Sequence, residues 1–345
     1  MNVNEPTLSI VIAAYNAEKV ISRCLDSLDG DFEGELEIVV VDDGSSDTTS
    51  SIVRRYATTN KSIRLINQEN KGVDLARGLG IKSALGEYVL CVDADDFLLA
   101  GAIKKILEYI QTNSDIDAIW FQYCTDSTNP MSEDKGINTL TKVGLYEGPD
   151  LAQVRSKIFQ GLSNSLWNKV LRKAALTDFG IMPRARYFGE DLSRLLLALP
   201  TIDSCLVSDD VLYCYVVTGD SCSKQYKSKY LSDINAVSDQ LIRVAQKDGA
   251  EGVCAAGNGI LAQYYNLFVL AFNKHDKKLF KKIMIDAKNA LIQANLPKEF
   301  IPYSWKLRLM YAFIMREKTA GIKWLVFSIE SIRTLSAHVY GVANG

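Results

Sequence analysis

Histidine is nearly missing from this chain: His275 and His338 are the only two in 345 residues. A Ser-His-Asp triad or a multi-histidine metal site is therefore poorly supported, and acid/base or metal work falls to carboxylates. The seven cysteines are scattered, odd in number and never paired as CxxC. That reads as reduced thiols, not as a disulfide framework or a zinc site. No G-x-G-x-x-G follows the first apolar segment and no G-x-x-x-x-G-K-[ST] occurs, which disfavours a dinucleotide fold of that type and a P-loop. Charge of one sign is also lacking, with 39 basic against 41 acidic residues and a net charge of −2. Whole-protein attraction to nucleic acid is not suggested. Met1 to Pro6 has no basic stretch, so no signal peptide is expected and the location read is cytoplasmic. Residues 252–273 carry no charge but include Gly257, Asn258, Gly259, Gln263, Tyr264, Tyr265 and Asn266. They read as a buried helix and not as a membrane span, which should be predominantly apolar.

What is present is ordinary globular composition, 48% hydrophobic and 23% charged. The length allows one large domain with an appendage, or two domains, each with a real core. Over the first 125 residues, apolar strand-like segments alternate with helical periodicity. Strands are expected at Leu8–Ile12, Leu36–Val41, Ile63–Ile66, Tyr88–Val92 and Ala118–Tyr123. Helices are expected at Ala17–Leu28, from Ser45 onward, at Gly72–Ala84 and at Gly101–Ile110. This alternation predicts an α/β fold with a doubly wound, mostly parallel sheet covered on both faces. After Asp126 the pattern loosens into helical and loop stretches, then a strand-like "VLYCYVV". The expected division is a catalytic domain over 1–225, with a nucleotide-binding half at 1–125 and an acceptor half at 126–225. A helical region over 226–345 follows.

Ligands of open α/β sheets bind beyond the carboxyl ends of the strands. Three strands here end in polar signatures: "AAYNAE", "DDGSSDTT" and "DADD". The last crowds Asp93, Asp95 and Asp96 together, at an electrostatic cost because each disfavours ionisation of the others. A hard divalent cation, Mg²⁺ or Mn²⁺, would offset that cost and bridge Asp95 or Asp96 to a diphosphate. Structural alternatives exist at several positions. Asp43 suits a helix cap. Glu190 and Asp191 suit a helix start, where the dipole favours acids. Arg77 suits a surface charge, Trp167 a core position, and Tyr213 and Tyr215 strand packing.

The stretches "LSIVIAAYNAEKVISRCLDSL", "EIVVVDDGSSDTT" and "NKGVDLARGLGIKSALGEYVLCVDADD" resemble the family 2 inverting glycosyltransferases of GT-A fold. The likeness is dense over residues 7–98. It continues more thinly in "LWNKVLRKAAL", "YFGEDL" and "LYCYVVTGDSCSK", which resemble landmarks of bacterial capsule and lipopolysaccharide members. The resemblance implies that Ala14 and Tyr15 wall the nucleotide base and that Asp43 accepts a hydrogen bond from uracil. It places Arg77 near the nucleotide and its phosphates. Asp93 and Asp95 match the D-x-D pair, with Asp95 near the ribose or the metal, and the direct metal ligand stays open between Asp95 and Asp96. Asp191 matches the general base. Trp167, Asn168 and Lys169 match a loop near donor and acceptor, and Glu190 lies beside that site. Two positions depart from the family pattern: Ala76-Arg77-Gly78 stands where A-R-N is usual, so Gly78 replaces the asparagine, and Asp74 stands where a small residue is usual. The latter is expected to add negative charge near the donor.

The implied activity is metal-dependent, inverting transfer of a sugar from a nucleotide-sugar, UDP-linked for preference, to a glycan or lipid-linked acceptor of a surface polysaccharide. The rival reading is a catalytically inactive GT-A domain that binds sugar nucleotides or serves as an assembly partner. The intact carboxylates argue against it. A nucleotidyltransferase would be expected to carry a glycine-rich basic loop where "AAYNAEKV" stands. The segment from Tyr303 to Gly341 interleaves Lys and Arg with Trp, Tyr, Phe, Leu and Ile, which suits either a helix packed on the catalytic domain with a solvated basic face or peripheral membrane contact, and the latter is the prediction.

Overall fold

The computed structural model describes residues 5–32, 34–113, 115–126, 135–136, 142–177, 189–217 and 229–329. The chain divides into two compact units, Met1–Arg155 with Ser163–Ser221, and Ser156–Leu162 with Cys222–Gly345.

The first unit is built on one sheet. The strands β1 (Leu8–Ala14), β2 (Leu36–Asp42), β3 (Ile63–Asn67) and β4 (Tyr88–Asp93) are mutually parallel in the order β3-β2-β1-β4. Every residue of β2 is buried, as a strand covered on both faces requires. The covering helices are α1 (Ile21–Asp26), α2 (Thr49–Thr59), α3 (Val73–Ser83) and α4 (Ala102–Thr112). On α4 the buried residues Ala102, Ile103, Ile106, Leu107 and Ile110 form one stripe, as the helical spacing of its apolar residues dictates. Helix α3 lies against β1 and needs Gly80 to do so, since a Cβ there would sit 2.4 Å from Val11 Cγ1.

Beyond β4 the sheet departs from a simple alternation. The two-residue β5 (Phe97–Leu98) and the strand β6 (Ala118–Asp126) come next in the chain. Two short strands follow, β7 (Lys135–Gly136) and β8 (Gly144–Glu147), then α5 (Leu151–Phe159). Strand β9 (Lys169–Arg172) inserts antiparallel between β4 and β6, within a stretch that the sequence pattern assigns to helix and loop. Helices α6 (Lys173–Thr177) and α7 (Glu190–Ala198) lead into β10 (Ser204–Val216), which runs parallel to β6. Register shifts between Val207 and Val211, and between Val211 and Tyr213, interrupt the β10–β6 pairing. The periodicity of "VLYCYVV" shows only the second half of β10.

The second unit is helical, with α8 (Tyr230–Ala245), α9 (Gly249–Asn273), α10 (Lys277–Gln293), α11 (Trp305–Met315) and helical residues 319–329. The charge-free α9 packs against α8, α10 and α11. Its polar groups are used internally: Asn258 accepts from the Tyr303 amide, and Tyr264 donates to Asn235 at 2.6 Å. Among the described residues no helix is long and apolar enough to cross a membrane.

Candidate active site

Strand register brings the three polar signatures together. Ala14 pairs with Asp42 across β1–β2, and Ala13 pairs with Asp93 across β1–β4. The three carboxyl ends therefore lie side by side on one edge of the sheet. There the loop after β1 is tied to the loop after β2. Asn16 Oδ1 accepts from the Ser46 amide, and Glu18 accepts from Thr48 Oγ1 at 2.8 Å. Ala14 is buried, and Tyr15 is 52% exposed at the rim. Such a ring is available for stacking on a flat ligand.

Asp43 is 3% exposed, and its carboxylate accepts three bonds, from Gln68 Nε2 (2.6 Å), the Lys71 amide (2.8 Å) and the Gly72 amide (2.8 Å). It thus braces the loop that enters α3. It does not cap α2; Asp47 does that work, accepting from the Thr49 amide. Three donors fix the carboxylate in place, and about one of its four lone-pair sites is left for a further donor.

The three crowded aspartates point three different ways. Asp93 Oδ1 meets Arg77 Nη2 at 2.9 Å. Asp96 is 1% exposed and turned to β10, where Tyr213 donates to Oδ2 (2.6 Å) and the Val216 amide to Oδ1 (2.7 Å). Burial pushes the Asp96 carboxyl up to about 7, against the pull of those two hydrogen bonds. Asp95 remains half-buried, and its carboxylate makes no hydrogen bond among the described residues. Its backbone carbonyl takes one from Arg23. The repulsion read from the sequence is therefore dispersed by the chain itself.

Arg77 is the centre of the site. It is 4% exposed on α3, and its two terminal nitrogens serve two carboxylates, Asp93 of β4 and Asp191 of α7, the latter at 2.6 Å. Burial works to lower its basicity, but Asp191 and Asp93 hold it well above the ordinary arginine range. The resemblance places this guanidinium near the nucleotide and its phosphates; in the structure it is held by two acids. Asp191 lies in the first turn of α7, and its other oxygen accepts from the Leu166 amide at 3.1 Å. Glu190 beside it is pushed up to about 7 by burial and then by the Asp191 charge.

The predicted loop residues divide. Trp167 is partly buried and stacks on Tyr213 and Tyr215, with ring centroids at 4.7 and 5.8 Å, and meets Tyr123 edge-on. Asn168 and Lys169 turn inward, each about 1% exposed. Lys169 donates to the Ser165 carbonyl and to Asn168 Oδ1, and burial pushes its ammonium down to about 7. Neither side chain is presented to a ligand; they hold the Leu166 amide in place for Asp191. Tyr213, read as packing, does pack, and it also anchors Asp96 and donates its ring to Trp167. Arg194 was not singled out at all, although its position three residues after Asp191 on a helix places it on the same face.

The donor set bears on a metal. Among the described residues no three His, Cys, Asp or Glu side chains converge as a protein-only cage. Mg²⁺ and Mn²⁺ do not need one, since one or two carboxylates plus substrate phosphates suffice. Asp95 and the second oxygen of Asp93 fit that partial set. Asp96, whose oxygens are both engaged by β10, does not.

Residues 9–179, just under half of the chain, match the description "Glycosyl transferase family 2". Over this segment the chain is similar to that family. Among sequence relatives, the Uncharacterized glycosyltransferase YibD of Escherichia coli is 32% identical over 172 residues, 48% of this chain and 46% of that protein. The poly(ribitol-phosphate) beta-N-acetylglucosaminyltransferase TarS of Staphylococcus aureus is 31% identical over 232 residues, 64% of this chain and 37% of that one. The chain spans less than half the length of these curated relatives. The crystal structure of S. aureus TarS 1-349 in complex with UDP-GlcNAc superposes with a TM-score of 0.71 at 21% identity, covering 94% of this chain and 92% of that one. The chain therefore has a GT-A fold with a helical C-terminal region.

Proposed function

We propose that the protein is an inverting glycosyltransferase that takes a nucleotide-sugar, UDP-linked by preference, and delivers the sugar to a glycan or lipid-linked acceptor of a surface polysaccharide. The observation that carries this is the Arg77 bridge. It joins a carboxylate at the end of a nucleotide-side strand, Asp93, to a carboxylate on an acceptor-side helix, Asp191. Two carboxylates held by one guanidinium suit single displacement, because the nearby Cys24 and Cys91 are buried and burial pushes both thiols up, away from nucleophilic thiolate.

Asp191 takes the proton from the acceptor hydroxyl. The oxygen attacks the anomeric carbon from the face opposite the diphosphate, the bond to the diphosphate oxygen breaks, and the electron pair leaves with it. Tyr15 supports the base, and the loop braced by Asp43 shapes its pocket. Asp95 and Asp93 would hold Mg²⁺ or Mn²⁺ together with the diphosphate, and that ion would supply the electrostatic stabilisation of the leaving group. Chelation with EDTA is expected to abolish UDP release, and added Mn²⁺ or Mg²⁺ to restore it. Asp95→Ala is expected to lose most of the rate and Asp96→Asn much less. Full activity after rigorous chelation would remove the metal from the reading.

Membrane contact is proposed for the second unit on its own evidence. Ile285 and Ile292 on α10 are more than half exposed and line one depression with Lys277, Lys281, Lys323 and the Lys288–Glu317 pair; Trp305, Trp324 and Phe327 of the same unit are also more than half exposed. Exposed apolar side chains on a unit with surface lysines suit an anionic lipid interface. The full chain is expected to sediment with phosphatidylserine-containing liposomes and less so as the Trp324→Ser/Phe327→Ser variant. Equal sedimentation of the two would refute this surface. The part of the sequence-based segment beyond residue 329 lies outside the described residues.

A further inference from the structure

The Arg77 bridge has a counterpart one turn away. On α3, Asp74 and Arg77 are three residues apart; on α7, Asp191 and Arg194 are three residues apart. The pairing is reciprocal: Arg77 holds Asp191 at 2.6 Å, and Arg194 holds Asp74 at 2.5 Å. Two D-x-x-R faces thus clasp each other, each acid on the other helix's arginine. Asp74 and Arg194 are 2% and 8% exposed. The negative charge that Asp74 is expected to add near the donor is therefore neutralised internally.

Gly78 belongs to the same device. A Cβ built there would lie 3.2 Å from Arg194 Nη2, so the guanidinium occupies the space that a side chain at 78 would take. The two departures from the family pattern, Asp74 and Gly78, are both explained by one residue: the first binds Arg194 and the second makes room for it.

The pair is costly. One Asp74 oxygen and the Arg194 Nε are buried without a hydrogen-bond partner among the described residues. A buried ion pair with unmet groups is weak as a source of stability, and apolar replacements of similar volume are often neutral or better. Its value lies in geometry.

We propose that Asp74 and Arg194 are positioning residues for the transfer, fixing α7 on α3 so that Asp191 is held against Arg77 and beside Asp93. The inference rests on the reading of Asp191 as the base. The charged groups around Asp191 are Arg77 of α3, Asp93 of β4, Lys169 of β9 and Glu190 beside it on α7. Loosening the clasp alters the distance from Asp191 to the first of these.

The test uses the full chain, with UDP release measured from UDP-GlcNAc and other UDP-hexoses and UDP affinity measured by calorimetry. Asp74→Leu/Arg194→Met is expected to fold and to bind UDP as wild type does. Its kcat should fall by roughly tenfold to a hundredfold, as a misplaced catalytic group does. The acid limb of its kcat–pH profile should move, while KM for the donor stays put. Arg194→Lys should recover part of the rate. Gly78→Ala deletes no group and should lower kcat in the same sense, so the test does not depend on the double variant folding. An unchanged kcat and acid limb in Gly78→Ala and in the folded double variant, with Asp191→Asn inactive, overturns the clasp and leaves the base standing. An active Asp191→Asn overturns the base itself.

Discussion

Asp191→Asn is expected to lower turnover by roughly 10²–10⁴, the range for loss of an acid/base group, while UDP binding stays near wild type. The variant keeps the shape of the side chain and its acceptor oxygen for the Leu166 amide. It removes the basicity and the charge that faces Arg77. Glu190→Gln should be milder, because no bond ties Glu190 to the bridge that Arg77 makes between Asp191 and Asp93. Its carboxyl, pushed up to about 7, is nevertheless tuned where a general base works well. The comparison is therefore a real contest. Steady-state transfer and UDP titration of both variants decide it, and a dead Glu190→Gln beside an active Asp191→Asn would move the role one residue back.

The second large effect is expected from Arg77→Met. Removing the cation leaves Asp93 and Asp191 facing each other in a confined setting with nothing between them. Breaking one side of a buried pair costs about 3–5 kcal/mol, and the low end applies because both carboxylates keep some water. Their side chains are 32% and 21% exposed. Thermal denaturation should show a stability loss of about 3 kcal/mol. Activity should vanish with it. Arg77→Lys should not rescue fully, since a single ammonium cannot present two separate nitrogens to two carboxylates as the planar guanidinium does. A stable, active Arg77→Met protein would mean that the bridge organises nothing.

The parallel half of the sheet was legible because its strands are buried on both faces and write continuous apolar runs, and because helices of regular period separate them. The convergence of Ala14, Asp42 and Asp93 followed from strand order and parallel register alone. Strand β9 was not legible. Its four residues, Lys169–Arg172, alternate with nothing, and their burial comes from neighbours on β4 and β6 that are distant in the chain. The first half of β10 was hidden for a related reason: the register shifts around Val211 break the two-residue period on which strand recognition rests.

The site shows the same division. The sequence by itself determined the inventory: carboxylates at the strand ends, a basic residue on the helix before β4, an acidic pair opening α7, and almost no histidine to compete with them. It could not determine where each carboxylate points. Asp93, Asp95 and Asp96 are near neighbours in the chain, and sequence reasoning treats them as one negative cluster in need of an external cation. Tertiary structure separated them, giving Asp93 to Arg77, Asp96 to Tyr213 and the Val216 amide, and leaving Asp95 open. It also decided that Arg77 serves two acids that lie 16 and 114 residues away, and that Asp74 is balanced by Arg194 from 120 residues away. Charge type and strand order are local properties that a sequence carries directly. The partner of a buried charge is whichever opposite charge the packing brings within about 3 Å, and only the folded chain fixes that distance.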